Sequence, residues 1–215
     1  GKSQGLLYSS KEEAKRMVKE WKKTIAKKGD KYNEVMNITP QPQASVTLMD
    51  QSTGEIKAMV GGRGAKGSSL SLNRAYKGAK RQPGSTFKVL AAYAPAIDAC
   101  GKTLSSTVVD EPYSYKNGKS VRNASRSYKG TVTYRTAIAN SINVCAVKVS
   151  DEITQQLGYE YCKDKFGIST LVKNKEINGK IFSDVNQTLA LGGITEGVYN
   201  YEMCAAYATI ANGGE

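Results

Sequence analysis

The chain is 215 residues long, 40% hydrophobic, and carries a formal net charge of +12 with no histidine. Without histidine, a Ser-His-Asp triad and any His-ligated metal site are excluded. The four cysteines, Cys100, Cys145, Cys162 and Cys204, form no CxxC pair, so zinc and thiol-redox motifs lack support and neither a metal nor a cofactor is expected.

This length fits one large domain, or one domain with an appendage. No apolar run approaches a membrane span, and no signal peptide is visible, so a targeting segment of an exported parent would lie outside this chain. The positive charge favours anionic surfaces such as lipid headgroups or anionic wall polymers. Nucleic acid is not an expected partner, because the lysines are spread along the chain with no arginine-rich tract.

In chain order, residues 10–28 read as one amphipathic helix. Ser10 and Glu13 make a capping-box pattern, and Ala14, Met17, Val18, Trp21 and Ile25 recur at helical spacing. Lys27 and Lys28 complement the dipole, and Gly29 is expected to end the helix. The basic outer face reads as a solvated face, in preference to a membrane-binding one. Residues 30–42, with Pro40 and Pro42, read as a linker. Ala44 to Met49 and Glu55 to Val60 then form a hairpin, with Val46 and Leu48, then Ile56, Ala58 and Val60, alternating, and with Gly54 in the turn. A GxGxxG at Gly62, Gly64 and Gly67 is read as a surface loop, since no helix follows directly and no acidic residue lies about twenty positions on.

The stretch from Arg81 to Lys88 (Arg-Gln-Pro-Gly-Ser-Thr-Phe-Lys) carries the most chemistry. Pro83-Gly84 breaks the chain, and a helix-compatible run follows. Ser85 then sits in the first turn, near free N–H groups and the positive dipole end, with Lys88 one turn below on the same face. An amine forced into a cleft loses protons more easily and becomes a base for a serine. The bland alternative is an N-cap serine followed by a solvated lysine.

Asp98 to Gly130 is polar and turn-rich, with Asn117-Gly118 as a hairpin-turn signal. Thr133 to Asn140 and Val144 to Leu157 read as helices. Between them, Ser141 and Asn143 would point about 200° apart on an ideal helix, so both can face one site only if the backbone breaks there. Leu191-Gly192-Gly193 reads as a glycine turn, and Tyr201 to Ala211 as a short buried helix; Cys145 and Cys204 both read as lying on buried helix faces. Spacing alone neither requires nor excludes a disulfide.

These motifs resemble the penicillin-binding protein and serine β-lactamase superfamily, in which Ser85-x-x-Lys88 and Ser141-x-Asn143 match the first two motifs. Asp50-x-x-Thr53-Gly54-x-Ile56-x-Ala58-Met59-Val60-Gly61-Gly62, Asn73-Arg74-Ala75, Arg81-Gln82-Pro83-Gly84-Ser85, Gly130-x-Val132-Thr133-x-Arg135-x-Ala137 and Leu191-Gly192-Gly193-x-x-x-Gly197-Val198 narrow the likeness to class A, bifunctional penicillin-binding proteins. The resemblance implies an α/β (α+β) fold of the β-lactamase/transpeptidase type, a helical lobe plus part of an antiparallel sheet. It implies a linker region with an amphipathic helix over 1–39 and a transpeptidase portion over 40–215.

The resemblance implies D-Ala-D-Ala transpeptidation of peptidoglycan stem peptides through an acyl-Ser85, with Lys88 as base, Ser141 as proton relay and Asn143 as a substrate-binding residue that also orients Lys88. Penicillin and other β-lactam antibiotics would acylate the same serine, outside the bacterial cell membrane. The family's third motif, Lys-Thr/Ser-Gly, is absent from the sequence. It is expected after Glu215, supplied by the rest of the protein or, through an exposed strand edge, by another copy; this chain alone is expected to be inactive or impaired. Two other readings stand beside this one. A hydrolytic β-lactamase would need a water-activating carboxylate, for which Glu176 near Asn178 is the sole candidate, and a non-catalytic wall-binding module would use the basic surface.

Overall fold

The computed structural model describes residues 7–31, 36, 38, 41–64 and 70–214. Gly67 of the glycine-rich loop, Pro40 and several other linker positions lie outside the described residues. The chain divides into two compact units, residues 1–43 with 63–71 and residues 44–62 with 72–215.

In the first unit, helix α1 spans Lys11–Ile25. Ser10 caps it, its hydroxyl accepting from the Glu13 N–H at 3.1 Å. Glu13 reaches back one residue further than the capping-box pattern implies, to the N–H of Ser9 at 2.8 Å and to the Ser9 hydroxyl. The helix stops short of Lys27, Lys28 and Gly29, correcting the expected end. Ala26 turns extended after donating to Lys22 O, and the Asp30 carboxylate takes the Lys27 N–H at 2.8 Å. Ala14 is buried, Met17, Val18 and Trp21 are half-buried, and Ile25 is exposed.

The second unit begins with the antiparallel hairpin of β1 (Val46–Met49) and β2 (Ile56–Val60). Asn73-Arg74-Ala75 packs under its end. The Arg74 N–H donates to Gly61 O at 2.9 Å, the Ala75 N–H to Asn73 Oδ1 at 3.0 Å, and a side chain at position 61 would strike Asn73. A composite helix follows over 84–99: a 3₁₀ turn at Gly84–Thr86, a π-helical turn at Val89–Tyr93, and α2 (Ala94–Ala99). Pro95 explains the π turn. It has no N–H for the Ala91 carbonyl, and the Ala94 N–H bonds back five residues to Val89 O. The freed Ala91 carbonyl points at Gly158, where any side chain would collide with it.

The polar stretch from 98 to 130 hides two small sheets. β3 (Thr107–Asp110) pairs with β6 (Gly130–Thr133), and β4 (Tyr113–Ser114) pairs with β5 (Ser120–Val121) around the Asn117-Gly118 turn. Thr133 caps α3 (Tyr134–Ala139), and α4 runs over Asn143–Ile153. The expected helix to Leu157 is interrupted at Thr154, whose φ of 77° ends α4 and whose hydroxyl caps α5 (Gln155–Glu160). A hairpin of β7 (Lys175–Ile177) and β8 (Lys180–Phe182) precedes a 3₁₀ turn at Gln187–Leu191 and α6 (Asn200–Ala211).

The core sits around the composite helix. One face packs Phe87, Leu90 and Ala91 with Ile168, Leu189 and Ile194; the other packs Ala92, Tyr93 and Ala96 with Tyr134, Cys145 and Val149. Phe87 and Leu90 are fully buried, each worth about 1.5–3 kcal/mol in transfer from water. Two expectations need correction, the burial of the helix over 201–211 and that of Cys204 on it. In α6 only Glu202 and Ala206 are buried; Cys204 is half-buried, and Tyr207 and Ile210 are exposed, so this is no buried helix. It packs Ala206 and Met203 against the core cluster of Phe87 and Leu90, and meets β1 where the Cys204 thiol donates to Thr47 O and the Thr47 hydroxyl to Asn200 Oδ1.

Candidate active site

Ser85 lies in the 3₁₀ turn that opens the composite helix, exposed at its N-terminal end. Gly84, at φ 58°, makes the entry, and Gly192, at φ 73°, presses its backbone so close that a side chain there would overlap Gly84. Gln82 fastens the two segments together. Its Oε1 accepts from the Ile194 N–H at 2.8 Å, and its Nε2 donates to the Ile194 carbonyl. Arg81 and Val198 exchange backbone hydrogen bonds at 3.0 and 2.8 Å, extending the same seam. The turn carrying Ser85 is therefore backed by the 191–198 segment, whose glycines allow that approach.

Lys88 is 3% exposed, a strongly dehydrated position for an amine. Its Nζ donates to Ser141 O at 2.5 Å, to Ser141 Oγ at 2.9 Å and to Asn143 Oδ1 at 2.6 Å. Burial lowers its pKa from the ordinary lysine range to about 8, partly offset by the nearby Cys145 thiol. Burial in turn pushes that thiol up to about 12.

The backbone break expected between the two helices occurs at Ser141, whose φ is 51°. Its N–H donates to Ile138 O at 3.0 Å and the Ile142 N–H to Ala137 O at 2.9 Å, closing α3 before α4 opens at Asn143. This left-handed step costs a non-glycine residue energy, and it turns both the Ser141 hydroxyl and the Asn143 carboxamide towards Lys88. Asn143 Nδ2 donates to Arg122 O at 2.7 Å, which fixes the amide with its oxygen towards the amine.

The structure thus joins Lys88, Ser141 and Asn143 by hydrogen bonds, with Ser85 three residues before Lys88 on the same composite helix. No hydrogen bond joins the Ser85 hydroxyl to Lys88 among the described residues. Glu176 lies exposed on β7, and no hydrogen bond or ion pair ties it to this corner. Sequence reasoning missed Gln82, Arg122 and Asn123 as supports of the site. Their partners lie 112, 21 and 20 residues away, so local pattern carries no signal for them.

A neutral Lys88 can take a proton from a hydroxyl at the mouth of the helix, and Ser141 Oγ can pass a proton onward. No group of three or more Cys, Asp or Glu side chains among the described residues could hold a metal ion.

The penicillin-binding protein transpeptidase domain family matches residues 44–215. Penicillin-binding protein 1A of Clostridium tetani is 36% identical over 181 residues, covering 81% of this chain and 22% of that protein. The chain therefore spans less than a quarter of that relative's length. The crystal structure of penicillin-binding protein 1A from Haemophilus influenzae matches with a TM-score of 0.64 at 27% identity, over 80% of this chain and 24% of that one. The PonA1 protein of Mycobacterium tuberculosis in complex with penicillin V matches with a TM-score of 0.65 at 22% identity, over 80% of this chain and 44% of that one. At that identity the likeness concerns the fold, mixed helix and antiparallel sheet.

Proposed function

Because this chain belongs to the penicillin-binding protein transpeptidase domain family, we propose that it supplies the nucleophile and base of a D-alanyl-D-alanine transpeptidase. Ser85 Oγ attacks the carbonyl of the penultimate D-Ala of a peptidoglycan stem peptide, and its proton passes to Lys88. The N–H groups of the first helical turn stabilise the oxyanion as it develops. The peptide bond then breaks, Ser141 relays a proton to the departing D-Ala amine, and an acyl-Ser85 ester remains. An amine of a second stem peptide attacks that ester, forming the cross-link and returning the hydroxyl to Ser85. A β-lactam ring opens on the same serine, but its leaving nitrogen stays tethered.

The observation that carries this reading is the Lys88 corner. A nearly fully buried amine, one helical turn from an exposed serine, binds the hydroxyl and carboxamide of Ser141 and Asn143. The second half of the oxyanion hole and a cation for the substrate carboxylate would be supplied by a Lys-Thr/Ser-Gly strand, a motif this sequence does not contain. The division into a linker helix over 1–39 and a transpeptidase portion over 40–215 belongs to the same reading, as does a place outside the bacterial cell membrane. No helix among the described residues is long and apolar enough to cross a membrane.

Fluorescent penicillin tests the proposal. Full-length protein is expected to take the label covalently, and Ser85→Ala to lose it. A label that survives Ser85→Ala, or folded wild-type protein that takes none, would overturn the assignment.

A further inference from the structure

Behind the site lies a polar assembly that the mechanism above does not use. Asn123 is 7% exposed and Asp110 is 1% exposed. Asn123 Oδ1 accepts from the N–H groups of Asn143 and Val144, both at 3.1 Å. Its Nδ2 donates to Asp110 Oδ1 at 2.7 Å and to Ser127 O at 3.1 Å. Both donors and both lone pairs of the amide are engaged, so its orientation is fixed. The other Asp110 oxygen accepts from the Lys129 N–H at 3.0 Å.

Two features give this assembly a purpose. First, the N-cap of α4, Ile142, offers no side-chain acceptor, so orphan N–H groups at the helix start go to Asn123 from outside the helix. Second, the residue before Asn123 holds the other end of the same asparagine, because Asn143 Nδ2 donates to Arg122 O. Consecutive residues thus grip Asn143 by its backbone and by its side chain, and its remaining polar atom, Oδ1, meets Lys88 Nζ at 2.6 Å.

We propose that Asn123, oriented by the buried Asp110 carboxylate, is a positioning residue for Lys88: it pins the start of α4, and with it the Asn143 oxygen that receives the amine. This rests on the transpeptidase reading and deepens it. Asn123 makes no hydrogen bond to the amine; it acts through Asn143.

The three oxygens around Lys88 all accept, so each favours the ammonium form. The ionisable neighbour acting on Lys88 is the Cys145 thiol of α4, and that thiol in turn faces Asp110 and Lys148, which pairs with Glu111. Letting Asn143 drift removes one acceptor and lowers the pH at which Lys88 becomes a base. Loosening that merely admitted water would relieve dehydration and move it upward. The direction therefore separates positioning from general support.

The experiment measures the rate of acylation by fluorescent penicillin against pH in full-length protein. Asn123→Ala is expected to slow acylation about tenfold, within the range for modest misplacement of a catalytic group, and to move the midpoint of the rising limb to lower pH. Asn123→Asp keeps the acceptor for α4 but sets a second carboxylate against Asp110, and should slow acylation similarly. Adding Asp110→Asn restores a donor across that contact and should recover most of the loss. If Asn123→Ala does not fold, the exchange pair decides alone. A rate within twofold of wild type, a midpoint unchanged or raised, or a double variant no faster than Asn123→Asp would overturn the inference. Wild-type protein that labels at Ser85 while the Asn123 variants are indifferent sinks this inference alone; unlabelled wild type sinks the transpeptidase reading itself.

Discussion

The amine corner and the β1–β2 hairpin make opposite use of the same unit. Lys88 is 3% exposed, and its hydrogen bonds reach into a loop held by strands, helices and buried amides. On the hairpin, Val46, Leu48 and Val60 are 58%, 59% and 54% exposed, and the pairing of Val46 with Val60 and Leu48 with Ala58 sets them on one outward face. The polar groups are buried and the apolar ones are not, which inverts the usual distribution. The amine corner is thus organised by contacts from residues 81 to 198, whereas the outer hairpin face stays more than half exposed at Val46, Leu48 and Val60. Chemistry can be pre-organised in one part of a domain independently of the burial of another.

Changes at the amine corner should therefore act strongly, and changes on the outer hairpin face hardly at all. Lys88→Met should cut penicillin acylation by roughly a thousandfold, typical for loss of a positioned base, while circular dichroism stays unchanged; near-normal acylation would remove the corner from the mechanism. Gly192→Ala should destabilise by about 2–4 kcal/mol in urea unfolding and slow acylation with it, since the new methyl has no space beside Gly84. Gln82→Met keeps the bulk but drops both bonds to Ile194, and should cost about 1–3 kcal/mol, seen as a lower unfolding midpoint. On pH, acylation should rise with a midpoint near about 8, because burial lowers the Lys88 pKa and the neutral amine is the active form; a flat profile between pH 6 and 10, read by stopped-flow labelling, would dissociate Lys88 from the rate. The smallest effect belongs to Leu48→Gln, expected to stay within about 0.5 kcal/mol of wild type on this chain. A large loss there would erase the contrast between the two regions.

Much of the corner was legible because its constraints are local. Lys88 follows Ser85 by three positions, and the impossibility of facing Ser141 and Asn143 together on one helix foretold a backbone break, which falls at Ser141. The hairpin and its turn were legible for the same reason, though alternation says only which residues share a face and not whether that face is covered. What stayed hidden depends on distant partners. β3 and β6 pair across the polar stretch, Asn123 caps a helix twenty residues on, and Gln82 mimics a strand against Ile194. The early end of α1 escaped notice because Asp30 competes for the Lys27 N–H, a choice that helical periodicity cannot express. The widened turn at Val89–Tyr93 follows from Pro95, which lies inside a run otherwise well suited to a regular helix.

That widened turn also sets the angular phase of the site. With one extra residue in the turn, the segment bearing Ser85 and Lys88 is phased by roughly 100° relative to an uninterrupted helix through Pro95. Replacing Pro95 with alanine so that the turn closes to a regular α-helix would leave hydropathy almost untouched, yet would swing Ser85 and Lys88 away from the partners that α4 presents.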